Sequence, residues 1–245
     1  MPAATFPFVK ARLLRGVLIL ALCSCVAPRA SAQDAPPYKE WGPQFNTPGA
    51  QLTIKEVQRG KLEGVTIVSY NFSAQGLPKD KAYKFWVWEL GREPQIGVNV
   101  HLGEDGSVDA GGGPFMLKVF GVPAEPMRFA LVSSEAESRV FGEVIPFPIE
   151  SVDGSCRLTV KMIAPLYEFV SIHAEGMKPD EDFHWTTQSY REGGRFDSKA
   201  DSRGQWNILV APFVKGKKKG FTTVELSTST CRLKVTFPWG VHYYQ

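Results

Sequence analysis

After its first 32 residues the sequence has no run approaching the ~20 apolar residues that a membrane-spanning helix requires, which excludes a chain threaded through a bilayer by helices there. It is poor in cysteine. Of four, Cys23 and Cys25 lie in the leading apolar segment, and only Cys156 and Cys231 follow it. Histidine is as scarce: His101, His173, His184 and His242 never fall into an H-x-x-x-H spacing. A zinc site needs three or four converging ligands, so none is expected. No serine sits in a G-x-S-x-G elbow, and no nucleophile is placed beside a base. Gly111-Gly112-Gly113 is not followed by a helix, so it lacks the dipole of a phosphate loop. It reads as a flexible loop. The stretch Glu104-Asp105-Gly106-Ser107-Val108-Asp109 has carboxylates that could touch Ca²⁺, but it lacks the ordered oxygen ligands and terminal Glu of an EF-hand. A turn is the expectation there, and no cofactor is expected anywhere.

The leading segment has its own logic. Lys10, Arg12 and Arg15 precede a short apolar stretch from Val17 to Ala27, and Ala30-Ser31-Ala32 closes it with small residues. That order is a secretory signal peptide over 1–32, cut before Gln33. The other reading is a lipoprotein signal, because Leu22-Cys23-Ser24-Cys25 resembles a lipobox ending at Cys25. Either way the chain is expected to be exported, periplasmic or extracellular, with lipid anchoring at Cys25 as the lesser alternative. The segment holds four of the 28 basic residues (Lys10, Arg12, Arg15, Arg29) and none of the 25 acidic ones. The remainder has 24 basic and 25 acidic residues, a net charge of −1. The basic pI of 8.6 therefore belongs to the targeting segment, and no nucleic-acid partner is implied.

What fills the rest is alternation and turns. Gln33 to Pro48 is proline-rich and reads as a linker or arm, with Trp41 and Phe45 able to dock on a domain surface. A pattern then occurs twice. Val68 to Leu90 and Glu168 to Tyr190 each run apolar alternation, then Gly (Gly76, Gly176), an apolar residue, Pro and acids, then alternation again. This is strand, turn, strand. The inward set is Tyr70, Phe72, Ala74, Tyr83, Phe85 and Val87, matched by Val170, Ile172, Ala174, Phe183, Trp185 and Thr187. Further strands are expected at Leu52–Val57, Gly97–Leu102, Phe115–Phe120, Met127–Ser133 and Arg139–Phe147. The second copy repeats them, with Asp201-Ser202-Arg203-Gly204 where Glu104-Asp105-Gly106 stood. Two diverged units follow, over 49–150 and 151–245, hinged near Glu150–Asp153. The fold class is all-β: two tandem seven-stranded sandwiches after a signal peptide.

The motifs Gly76-Leu-Pro-Lys-Asp80 and Gly176-Met-Lys-Pro-Asp180, each followed by a charged D-x-x-G-type turn, resemble secreted bacterial immunoglobulin-like sandwich domains of the IPT/TIG-like and fibronectin-III-like kind. The tail ending in Phe237-Pro-Trp-Gly240 is similar to tails of exported bacterial proteins without assigned function. The resemblance implies a spacer, an adhesion module or an enzyme appendage. Two cysteines in an oxidising compartment usually pair, so a Cys156–Cys231 disulfide is expected, with two buried thiols as the alternative. The resemblance further implies that the strands they open run parallel and adjacent along one edge. The expected function is a non-catalytic binding or structural module of the cell envelope or extracellular space, partnered by a protein or glycan. The rival is a carbohydrate-binding appendage or a secreted enzyme.

Two stretches stand out as candidate contacts. Trp86 and Trp88 have the outward parity on their strand, where the second copy has Thr186 and Gln188. Aromatic side chains of that size rarely stay uncovered. They are expected to lie beneath the arm or the second domain, or else to form a surface contact for a sugar or a partner. Lys215-Gly-Lys-Lys-Lys219 is a basic hairpin tip, read as a solvated turn, with anionic glycan or membrane contact as the other possibility.

Overall fold

The structure, a computed structural model, describes residues 41–241. The signal segment at 1–32, the cut before Gln33, the alternative lipid site at Cys25, the arm over 33–40 and His242 lie outside the described residues. Among those described, no helix is long and apolar enough to cross a membrane.

Alternation sets the strands. In β10 (Cys156–Met162), Cys156, Leu158, Val160 and Met162 are buried while Arg157, Thr159 and Lys161 face outward. Such a period of two is what a half-buried strand demands. The first half of the chain contains β1 (Gln51–Leu62), β2 (Val65–Gln75), β3 (Tyr83–Trp88), β4 (Gln95–Leu102), the two-residue β5 (Val108–Asp109), β6 (Met116–Val119), β7 (Met127–Ser133) and β8 (Arg139–Val144). They form sheets ordered β1-β2-β6 and β5-β4-β3-β7-β8. The second half adds β9 (Ile149–Asp153), β11 (Val170–Glu175), β12 (Asp182–Ser189), β13 (Glu192–Lys199), β14 (Trp206–Val210), β15 (Gly220–Ser227) and β16 (Arg232–Trp239). Their sheets run β9-β10-β11-β14 and β13-β12-β15-β16. The order β1-β2-β6 thus recurs as β10-β11-β14, and β4-β3-β7-β8 as β13-β12-β15-β16. All pairings within these sheets are antiparallel.

Each pair of sheets closes on its own apolar core. The first holds Phe72, Phe85, Phe115 and Phe129 with ring centroids 4.8–5.8 Å apart. The second holds Leu158, Ile172, Trp185, Leu226 and Phe237. The repeated glycines have one job in both. Gly76 and Gly176 have φ of +73° and +79°, and a Cβ on either would stand 2.4 Å from Gly49 O or 2.0 Å from Ser155 O. Only glycine lets the turn after the second strand pass so close to the chain entering the first. The charged turns each dock beside this glycine, at different positions: Ala74 N–H, two residues before Gly76, donates to Gly106 O at 2.8 Å, and Met177 N–H, one residue after Gly176, donates to Gly204 O at 3.2 Å.

Three expectations need correction. Each half has eight strands, because β5 and β9 are additions. The hinge placed at Glu150–Asp153 is strand β9, paired with β10 from Val160 to Cys156. Its other side meets β16, where Arg232 N–H donates to Asp153 Oδ2 at 2.8 Å and Lys234 N–H to Ser151 Oγ at 3.2 Å. Finally, β1 extends to Leu62 and meets β2 through a two-residue turn, Glu63-Gly64, in which both φ are positive (50° and 86°). That is the turn whose twist matches a hairpin.

Candidate functional site

The disulfide joins Cys156 and Cys231, with Cα atoms 6.3 Å apart and both side chains buried. Its placement departs from the expected edge. Cys156 opens β10 in one sheet and Cys231 immediately precedes β16 in the other, so the bond crosses between the sheets instead of linking neighbours in one. The two strands do run the same way, since β9 is antiparallel to β10 and meets β16 with its numbering reversed.

Trp86 is not a surface contact. Its side chain is 3% exposed, in a small cluster with Ala130, Val132 and Phe141. Trp41 and Phe45 of the arm cover that cluster. Trp41 meets Trp88 edge-on at 5.3 Å and Phe141 at 5.3 Å. The arm is held by the outer edge of β8: Thr47 N–H donates to Arg139 O and Arg139 N–H to Thr47 Oγ1, both at 2.8 Å, and Phe141 N–H donates to Asn46 Oδ1 at 2.8 Å. Trp88 is half-buried, lies under the Arg128 guanidinium at 4.4 Å, and donates its indole N–H to Arg92 O at 2.6 Å.

The acidic turns spend their carboxylates on the backbone. Asp109 Oδ1 receives the N–H groups of Gly111, Gly112 and Gly113 at 2.5, 3.2 and 3.3 Å. Those bonds, Gly111's foremost, hold the Asp109 carboxyl below its ordinary value. The triglycine loop is therefore organised around its own anion. Asp105 is lowered by its hydrogen bonds with Ser107, side chain first and then the backbone N–H. Asp201 is lowered by the Gln205 and then the Arg203 N–H. Glu181 is lowered chiefly by the Ser229 hydroxyl, 2.6 Å away, with the Ser229 and Lys178 N–H groups adding to it. The three described histidines are dispersed. His101 is exposed on β4, His173 Nδ1 faces Asn207 Oδ1 at 2.8 Å, and His184 pairs with Asp197 across the β12–β13 hairpin. His173 and His184 stand on opposite sheets.

A cavity of about 200 Å³ lies where the halves of the chain meet. Leu90, Val122 and Tyr167 form its apolar wall; Arg92 and Glu125 contribute the polar groups. Glu125 is buried and accepts Leu90 N–H at 3.2 Å. Around it the chain is tied across. Met162 N–H donates to Ala124 O at 2.8 Å, Tyr167 Oη donates to Pro123 O, and Lys161 is ion-paired with Glu143. Val122 and Ala124, from the β6–β7 connection, are buried in the second core. No local pattern points to this cavity, because its lining comes from four separate stretches, 90–92, 122–125, 162–167 and 241.

The basic tip lies between β14 and β15. Phe213, Lys215, Lys217, Lys218, Lys219 and Phe221 are exposed, and Val214 is buried beneath them. Tyr190 stands beside the tip. Its hydroxyl donates to Lys219 O at 2.5 Å, and Lys217 Nζ lies 5.1 Å from its ring centroid.

No protein-family model matches the chain, and no curated protein matches it. Solved structures do. A tetra-tandem repeat from the extending region of a large adhesion protein is 10% identical with a TM-score of 0.25; the match covers 78% of this chain and 48% of that one. Red sea bream transglutaminase is 12% identical with a TM-score of 0.25, over 88% of this chain and 34% of that one. A DUF3823 family protein from Parabacteroides merdae is 14% identical with a TM-score of 0.20, over 77% and 96%. The chain thus spans about half the adhesion repeat and a third of the transglutaminase.

Proposed function

We propose that this chain is an exported, non-catalytic binding or structural module, built of two immunoglobulin-like sandwiches in tandem. The observation that carries the reading is where its reactive groups go. Cys156 and Cys231 form a buried disulfide, which suits an oxidising compartment. Asp105, Asp109, Glu181 and Asp201 are bound to backbone N–H groups of their own turns. A catalytic site instead converges several such groups on one cleft. With a mature net charge of −1, the partner classes that fit are an envelope or extracellular protein, or a glycan.

The test is a hydrolase panel and a glycan and envelope-protein array, run on the exported protein. Saturable binding without turnover is expected. Hydrolysis that survives repurification and disappears on a single substitution would overturn the proposal.

A further inference from the structure

We infer that the β14–β15 loop, residues 213–221, with Tyr190 beside it, is a docking surface for an anionic phospholipid bilayer. This goes beyond the proposed function and stands whether or not the protein also binds a macromolecular partner. Three observations meet in the loop. The first is charge: four lysines fall in five positions, on a mature chain whose net charge is −1, so the positive field is local. Among the described residues none of Lys215, Lys217, Lys218 and Lys219 has an ion-pair partner. The acid nearest the tip in sequence is Glu225 on β15, and it is paired with Lys234 at 2.8 Å.

The second observation is the apolar flank. Phe213 precedes the lysines and is 52% exposed; Phe221 follows them and is 66% exposed. Phe213 leans on Phe169, itself exposed, at 6.3 Å between ring centroids. The third is what the loop lacks. From Ala211 to Phe221 there is no hydroxyl, amide or carboxylate side chain, and the neighbouring Tyr190 hydroxyl is turned to Lys219 O. A sugar is recognised through its hydroxyl groups by donors and acceptors of that kind. Ammonium groups beside phenyl rings instead match a headgroup layer, where cations meet lipid phosphates and rings enter the acyl boundary. Gly220 lets this seat form: a Cβ there would stand 2.6 Å from the Tyr190 ring and 2.8 Å from Trp239.

The test is co-sedimentation of the exported protein with mixed phosphatidylglycerol–phosphatidylcholine vesicles and with pure phosphatidylcholine vesicles. Any contribution of the N-terminal segment is common to all variants and cancels in the comparison. The wild type is expected to sediment with the mixed vesicles only, and to be released as salt shortens the screening length below its ~8 Å at physiological ionic strength. Each lysine near an anionic surface is worth about five-fold in partitioning. The K215Q/K217Q/K218Q/K219Q variant should therefore lose binding by roughly 10²- to 10³-fold, with near-ultraviolet circular dichroism unchanged. F221S should lose about five-fold and keep the salt dependence. In F221W the new indole should shift to the blue on adding mixed vesicles and be quenched by brominated lipid. The inference is overturned by a wild type that does not distinguish the two vesicles, or by a quadruple variant that sediments like wild type. It is equally overturned by F221S binding unchanged, which would leave only diffuse attraction, or by capture of an acidic polysaccharide without any vesicle binding.

Discussion

Trp86 has the parity of a solvent-facing residue on β3 and is nonetheless buried. Parity was legible from the alternation of Tyr83, Phe85 and Val87. The cover was not, because Trp41 and Phe45 lie in a proline-rich stretch without periodicity, and nothing local says where such a stretch docks. The indole N–H of Trp86 has no acceptor among the described residues. An unsatisfied buried donor costs ~1–3 kcal/mol, and a Trp-to-Ala truncation about 3–5 kcal/mol. Trp86→Phe should thus change stability by no more than about 1 kcal/mol, while Trp86→Ala costs at least about 3 kcal/mol in urea unfolding. Equal losses in the two would show that the ring's packing is not what the arm protects. The turn carboxylates make a second residue-scale prediction. Glu181 and Asp201 are held below their ordinary values when folded. They stabilise the fold above the unfolded value near pH 4, and this contribution is lost as pH falls through the depressed folded values. Unfolding midpoints measured between pH 7 and pH 2 should drop at the acid end for wild type and drop less for E181Q/D201N.

Among the elements, the strands that alternate were legible and the ones that do not were missed. Beyond Val57, β1 has both faces in water, so Gln58 to Leu62 shows no apolar period to read. β9 is short and sits between Phe147-Pro148 and Gly154, which reads as a boundary by composition. It is a strand because Asp153 and Ser151 offer side-chain acceptors to β16 while its backbone pairs with β10. The sheets of the second half are therefore joined at this end by hydrogen bonds as well as by the disulfide. The bond closes a separation of 75 residues, and in the chain-entropy model that contributes about 4 kcal/mol. Cys156→Ser with Cys231→Ser should lower second-half stability by up to that amount, and reductant should do the same to wild type but nothing further to the variant. A reductant effect that persists in the double variant would mean that another thiol is involved.

At the scale of the whole molecule, the repeat made the two cores legible, but not their junction. Similar units read twice suggest beads on a hinge. The chain instead places Val122 and Ala124, which belong by sequence to the first half, in the second core. Ala124 is fixed on both sides, donating to Phe147 O at 2.7 Å and accepting from Met162 N–H at 2.8 Å. Leu90 packs against the same core. Stability should therefore be shared across the joint. Amide exchange followed by mass spectrometry separates peptides of the two halves, and both should report one opening free energy at their most protected positions. Val122→Asp puts an unpaired charge into the joint, and a buried charge without a partner costs several kcal/mol unless the site opens. In that variant protection should fall first in the second half, whose core Val122 completes. A fragment of residues 149–245 keeps the disulfide and all eight second-half strands, so it should fold with β-type circular dichroism. It lacks Leu90, Val122 and Ala124, so it should unfold at a lower urea concentration than the second half does in the whole chain. A fragment as stable as the intact protein, together with an exchange pattern unmoved by Val122→Asp, would show that the joint is contact without coupling.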